Sequence, residues 1–176
     1  MEGTQEAALK AFEGGLAPLG PGWFIVNVAD ARGWRSERFG ESVHFEGASR
    51  FPELGINLRR LAPGQASGLY HRESAQEAYL VLRGTAIAIV EGQERLVRSG
   101  DFVHLPAGTA HAIVGAGTEP CVILMVGARP AELTGEYPES AAAANHEAAS
   151  PVETDQPAVA YEGVAPPLPV ALDLRL

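Results

Sequence analysis

Between residues 24 and 128, apolar positions come in short runs broken by glycine and proline. Phe24–Val28 follows the Pro21–Gly22 pair, Gly55–Leu61 alternates and stops at Pro63–Gly64, and Ala78–Leu82 stops at Gly84. Thr85–Val90 turns at Glu91–Gly92–Gln93 into Glu94–Val97, the pattern of a hairpin. Asp101–Leu105 ends at Pro106, Ala110–Val114 at Gly115 and Cys121–Val126 at Gly127. Alternation over runs this short marks half-buried strands, because successive side chains on a strand face opposite ways. No long helical period interrupts them. Many short strands at regular spacing predict an all-β sandwich or barrel, not a sheet alternating with helices.

Past residue 130 the pattern changes, which divides the chain into residues 1–130, a barrel with N-terminal strands, and residues 131–176, an extended C-terminal arm. The arm holds eight acids, from Glu132 to Asp173, against one base, Arg175, together with six prolines and the Ala141–Ala144 run. A short helix is expected from Glu139 to Ala148, ended by Pro151. Such a composition also suits a solvated tail. Tyr161 and the apolar ending Val164–Leu176 weigh against that, since they are poor company for water.

Composition narrows the function. At 176 residues and 46% hydrophobic the chain can build about one packed domain, and 20 glycines with 13 prolines imply many turns. The net charge of −9 comes without any basic stripe, so nucleic acid is excluded as a partner. The longest apolar run, Cys121–Ala128, is far short of the roughly 20 residues that cross a bilayer, so no membrane association is expected. The N-terminus shows no basic region ahead of an apolar stretch, so no secretory leader is expected and the expected location is cytoplasmic. Cys121 is the single cysteine. It cannot form a disulfide within the chain and reads as a small buried hydrophobe.

Two clusters carry chemistry. One is His71-Arg72-Glu73-Ser74-Ala75-Gln76-Glu77, and the other runs from Gly100 to His111 around the turn Pro106-Ala107-Gly108. On a strand His71 and Glu73 share a face, and Glu77 keeps that parity if the strand is continuous. Imidazole nitrogens and carboxylate oxygens converging on one face form a donor set for a divalent cation of borderline hardness. Reversal at Pro106–Gly108 can bring His111 in from another strand. Glu73 has a second reading, as a pair to Arg72 or Arg83. His104 reads as a neighbour of the site or a surface group, and His44 and His146 read as surface. Tyr70, Tyr79 and Phe102 flank the clusters and read mainly as core packing. There is no Gly-x-Ser-x-Gly elbow and no Gly-rich-Lys phosphate loop.

At these residues the sequence resembles the cupin superfamily. His71, Glu73, Glu77 and Gly84 stand at the positions of that family's first motif, and Gly100, Pro106, Gly108 and His111 at those of the second. The likeness covers about residues 53–128 and is to small single-domain bacterial cupins. Three positions depart from the pattern: Glu73 replaces a histidine, Gly115 stands where an asparagine is common, and Gln65 stands where the first motif opens on glycine. The resemblance implies a double-stranded β-helix, a jelly-roll barrel with the ligands inside its mouth. It further implies one divalent metal ion (Zn, Mn, Fe or Ni) held by His71, Glu73, Glu77 and His111. Two carboxylates among the four would cancel the ion's charge and shift preference toward harder metals such as Mn. The function expected is a metal-dependent enzyme acting on a small oxygenated substrate, by isomerisation or carbonyl activation ahead of dioxygenation. The alternative is a non-catalytic cupin that binds or senses a small ligand. A homodimer is expected, with Phe24–Val28 and the arm after Pro130 as the segments exchanged.

Overall fold

The computed structural model of the chain describes residues 5–172 and Leu174, so Asp173, Arg175 and Leu176 of the apolar ending lie outside the described residues. Strands β1 (Leu9–Phe12) and β2 (Gly15–Pro18) form a small hairpin, followed by β3 (Gly33–Ser36), β4 (Gly40–His44) and β5 (Leu54–Leu61). Next come β6 (Arg72–Glu73), β7 (Glu77–Arg83), β8 (Thr85–Val90), β9 (Gln93–Arg98), β10 (Phe102–Leu105), β11 (His111–Ala116) and β12 (Cys121–Ala128). The arm adds β13 (Gly135–Glu136), the short helices α1 (Ala141–Ala144) and α2 (Pro157–Ala160), and β14 (Leu168–Val170). The all-β reading is met, and the barrel is the expected jelly roll.

One sheet orders its strands β10-β7-β12-β5-β4-β3-β14, and the facing sheet orders them β11-β8-β9. All these pairings are antiparallel. Between the sheets lie Leu61, Tyr79, Ala86, Leu105, Ile113, Cys121, Ile123 and Met125. Cys121 is fully buried there, as expected of a small hydrophobe. The outer face of the large sheet, Val43, Leu58 and Val122, is covered by Ala31, Leu172 and Leu174. The expected hairpin turns on Glu91 and Gly92, both at positive φ (47° and 70°), the geometry that matches strand twist in a two-residue turn.

Several expectations are corrected. Phe24–Val28 is not a strand: Phe24, Val26 and Val28 are half-buried while Ile25 is exposed, so the alternation is real, but among the described residues no ladder partner lies alongside. Alternation reports a buried face, whereas a strand also needs a neighbour for its backbone groups. The sequence reading missed β1 to β4 and β14, which carry too few large apolar residues to stand out. The helix expected over 139–148 is only Ala141–Ala144, N-capped by the Ser140 hydroxyl, and the chain leaves helical geometry by Glu147 at φ 55°. Phe102 is exposed and packs in no core.

The arm is no solvated tail. Ala143, Ala148 and Ala160 are buried against Ala110, Ala112, Val114 and Ile89, the outer face of the small sheet. Small side chains let the arm's backbone approach that face closely. At the other end β14 pairs with β3 and extends the large sheet. Gly115 has a structural reason as well, since a Cβ there would collide with the Ala62 carbonyl oxygen of the crossing segment.

Candidate metal centre

His71 lies just before β6 and forms an antiparallel bridge with His111, the first residue of β11. The two exchange both backbone hydrogen bonds, so their side chains leave the same face, with ring centroids 4.7 Å apart. Glu77 opens β7 in the other sheet. Its Oε2 lies 2.8 Å from His111 Nε2 and 3.8 Å from His71 Nε2. The donor atoms of His71, Glu77 and His111 all fall within 4.8 Å of one another, at the barrel mouth where the two sheets meet.

Both imidazoles are held in one tautomer. His71 Nδ1 is 2.7 Å from the Leu69 carbonyl, and His111 Nδ1 is 2.9 Å from the Thr109 carbonyl. A carbonyl only accepts, so each Nδ1 carries a proton and donates it, which turns Nε2 toward the site. Glu77 Oε2 is buried and, despite its closeness to His111, makes no aligned hydrogen bond. Two Nε2 atoms and an unsatisfied buried carboxylate oxygen suit a divalent ion of borderline hardness.

The electrostatics follow from this crowding. Burial pushes His71 below its ordinary value, helped by His111 and opposed by the Leu69 carbonyl. His111 is subject to the same burial, but the Glu77 carboxylate beside it and the Thr109 carbonyl win and raise it. Glu77 is lowered, since His111 outweighs the burial that would raise it. Burial and then the Glu77 charge raise Glu73.

The structure brings together three of the four expected ligands. Glu73 stands at the edge, with Oε1 3.9 Å from His71 Nε2, on the face that strand parity predicts. Arg72 is engaged by Glu136 at 3.6 Å. His104 is exposed on β10, and His146 meets Glu94 on the surface at 3.1 Å. His44 is not a surface group: it is half-buried, with Nε2 3.1 Å from Ser42 Oγ.

Two aromatic residues at the site were not read from the sequence as functional. Tyr79 is buried, and its hydroxyl lies 2.8 Å from His111 Nε2. Its signal was available, because Tyr79 shares the face of Glu77 two residues on. Tyr137 of the arm lies over the site, its ring 6.1 Å from His71, with its hydroxyl pushed by burial up to about 12. Tyr161 supports it edge-on at 5.7 Å.

Residues 57–127 match the family model for the cupin domain. Among solved structures, a sugar phosphate isomerase from a cupin superfamily of Silicibacter pomeroyi is 29% identical. It aligns with 56% of this chain and 65% of its own, with a TM-score of 0.52. A candidate sugar phosphate isomerase from Acidithiobacillus ferrooxidans is 35% identical over 49% of this chain and 56% of its own, with a TM-score of 0.47. The chain thus spans less than two thirds of either structure. A predicted oxalate decarboxylase from Thermotoga maritima shares the fold at 22% identity and a TM-score of 0.53, over 61% of this chain and 100% of its own. A search of curated proteins found no match.

Proposed function

The chain belongs to the cupin superfamily through residues 57–127, and from that premise we propose that it is a divalent-metal-dependent enzyme acting on a small oxygenated substrate by an isomerase-like reaction. The observation that carries this is the convergence of two tautomer-locked Nε2 atoms with the unsatisfied Oε2 of Glu77. Likeness to a sugar phosphate isomerase at 29% identity supports isomerisation over oxygen chemistry. Among the described residues no helix is long and apolar enough to cross a membrane.

His71, Glu77 and His111 would hold the ion, with Glu73 as a fourth donor. The ion, when bound, supplies a Lewis acid that polarises a carbonyl and stabilises the negative charge that develops on its oxygen. The chain's own groups do the rest. Leu69 and Thr109 carbonyls hold both rings in place. The Tyr79 hydroxyl keeps its proton, because burial and then Glu77 raise it well above its ordinary value, and it can donate toward developing negative charge. Tyr137 and Tyr161 shield the His71 side from bulk water.

The test has two stages. Elemental analysis of the full chain is expected to find about one divalent ion per chain, and the His71→Ala/His111→Ala double variant none. Metal-loaded protein is then incubated with aldose and ketose phosphates and hydroxy acids in deuterated water. Exchange of a carbon-bound proton next to a carbonyl, seen by NMR, is the expected result. Full metal loading with no exchange across the panel would favour the non-catalytic, ligand-binding reading.

A further inference from the structure

Arg59 lies at the middle of β5, opposite Ser42 of β4 and Ile123 of β12. It shares the inward face of Leu61, so its side chain enters the space between the sheets. There it lines a cavity of about 360 Å³ with Ser42, His44, Ser67, Tyr161, Val164 and Pro166. This is the size of a small-molecule site. Among the described residues none lining it is a carboxylate, and none of His71, Glu77 and His111 is among them.

Four other arginines find acids, while Arg32, Arg38 and Arg95 bond carbonyl or amide oxygens. Arg35 and Arg60 share Glu41, Arg129 meets Glu46, and Arg72 meets Glu136. Among the described residues the Arg59 side chain has neither an ion pair nor a hydrogen bond, and its Nε is shielded from solvent without a partner. Burial accordingly holds its guanidinium below its ordinary value. An unpaired guanidinium is costly in such a place unless an anion offsets it.

We propose that this cavity is a binding site for a small aliphatic monocarboxylate, whose carboxylate is held by the Arg59 guanidinium. The fork of N–H donors matches two carboxylate oxygens. Charge decides between anions. Among the described residues Arg59 is the one cation lining the cavity, and His44 beside it is neutral, so a single negative charge is balanced where a phosphate dianion is not. Hydroxyls of Ser42 and Ser67 complete the polar end. Val164 and Pro166 from the arm form an apolar wall that suits a short hydrocarbon body. None of the three clustered donors lines the cavity, although Tyr161 is shared with the wall over the metal centre, and the proposal does not rest on the reading of that centre.

Butyrate, butyramide and inorganic phosphate serve as probes, titrated into the full chain by calorimetry. Butyrate is expected to bind at least tenfold more tightly than butyramide or phosphate, and Arg59→Met to lose that binding. Binding is expected to stay within twofold after chelation and dialysis, and in His111→Ala. In uniformly ¹⁵N-labelled wild-type protein one arginine Nε–H resonance should shift with butyrate, a readout that survives even if Arg59→Met misfolds. Butyramide or phosphate binding as tightly as butyrate would overturn the carboxylate assignment. Loss of butyrate binding on chelation would move the anion to the metal centre, and an unmoved set of arginine signals would remove Arg59 from the site.

Discussion

His71 and His111 face each other across one antiparallel bridge, exchanging backbone hydrogen bonds of 3.0 and 2.8 Å. The two rings are therefore placed by backbone pairing and not by each other. Removing either ring leaves the bridge intact, so loss of metal should separate cleanly from loss of fold. His71→Ala and His111→Ala are each expected to weaken Zn binding by more than about 100-fold, since disturbing a mere supporting partner of a ligand costs 10–100-fold. Competition against a chromogenic chelator measures this, with circular dichroism expected to match the wild type. Wild-type affinity in either variant would remove that residue from the centre.

The hydroxyl of Tyr79 offers a second test. It is buried and lies 2.8 Å from His111 Nε2. Tyr79→Phe preserves the ring and deletes one buried hydrogen bond, so a loss of about 1–2 kcal/mol in urea unfolding of metal-free protein is expected. A neutral substitution would mean that the contact contributes nothing to stability.

How legible was this centre beforehand? His71, Glu77 and His111 were readable because motif spacing is a local property of the chain. Among the expected ligands strand parity holds only for His71 and Glu73, since the chain bends at Ser74–Ala75 and Glu77 opens β7 in another sheet. Tyr79 was readable in principle by its parity with Glu77. Tyr137 and Tyr161 were not, because the arm that carries them reaches the site only by packing its small residues on the outside of β11. Arg59 looked like an ordinary polar position of an alternating strand. Its lack of a partner is a tertiary fact, set by which residues surround it, and no local pattern encodes that. Phe24–Val28 shows the converse, with a local pattern that was right about burial and wrong about pairing.

Glu73 sits 3.9 Å from His71 Nε2, farther out than the three clustered donors. As a fourth ligand it adds a second anionic oxygen, which favours harder ions. Glu73→His is then expected to raise affinity for Zn, Ni or Fe relative to Mn in a competition assay. An unchanged order of preference would place Glu73 outside the coordination sphere.

The expected homodimer can be tested on the segment before β3. Ile25 is 82% exposed and Trp23 51% exposed. Apolar surface of this kind is what a second copy would cover. Ile25→Asp should change the light-scattering mass from two chains to one without altering the fold. A wild-type mass of one chain across the accessible concentration range removes the dimer.

Acid sensitivity is the last expectation, and it rests on His44. Burial, and then the Arg59 charge, lower its value from 6.5 to about 4. The folded state therefore binds this proton less readily than the unfolded chain. The stabilising contribution is complete above pH 6.5, falls as the pH drops toward about 4, and then levels off. With allowance for partial solvent screening, the loss between pH 6.5 and pH 5 is about 1–2 kcal/mol. His44→Gln keeps a polar group near Ser42 and removes the titration. Its urea-unfolding free energy, plotted against pH beside that of the wild type, should decline less steeply over that window, by about the same amount. Parallel curves would mean that His44 takes up its proton as readily in the folded chain as in the unfolded one, against the effect of burial and of the neighbouring guanidinium.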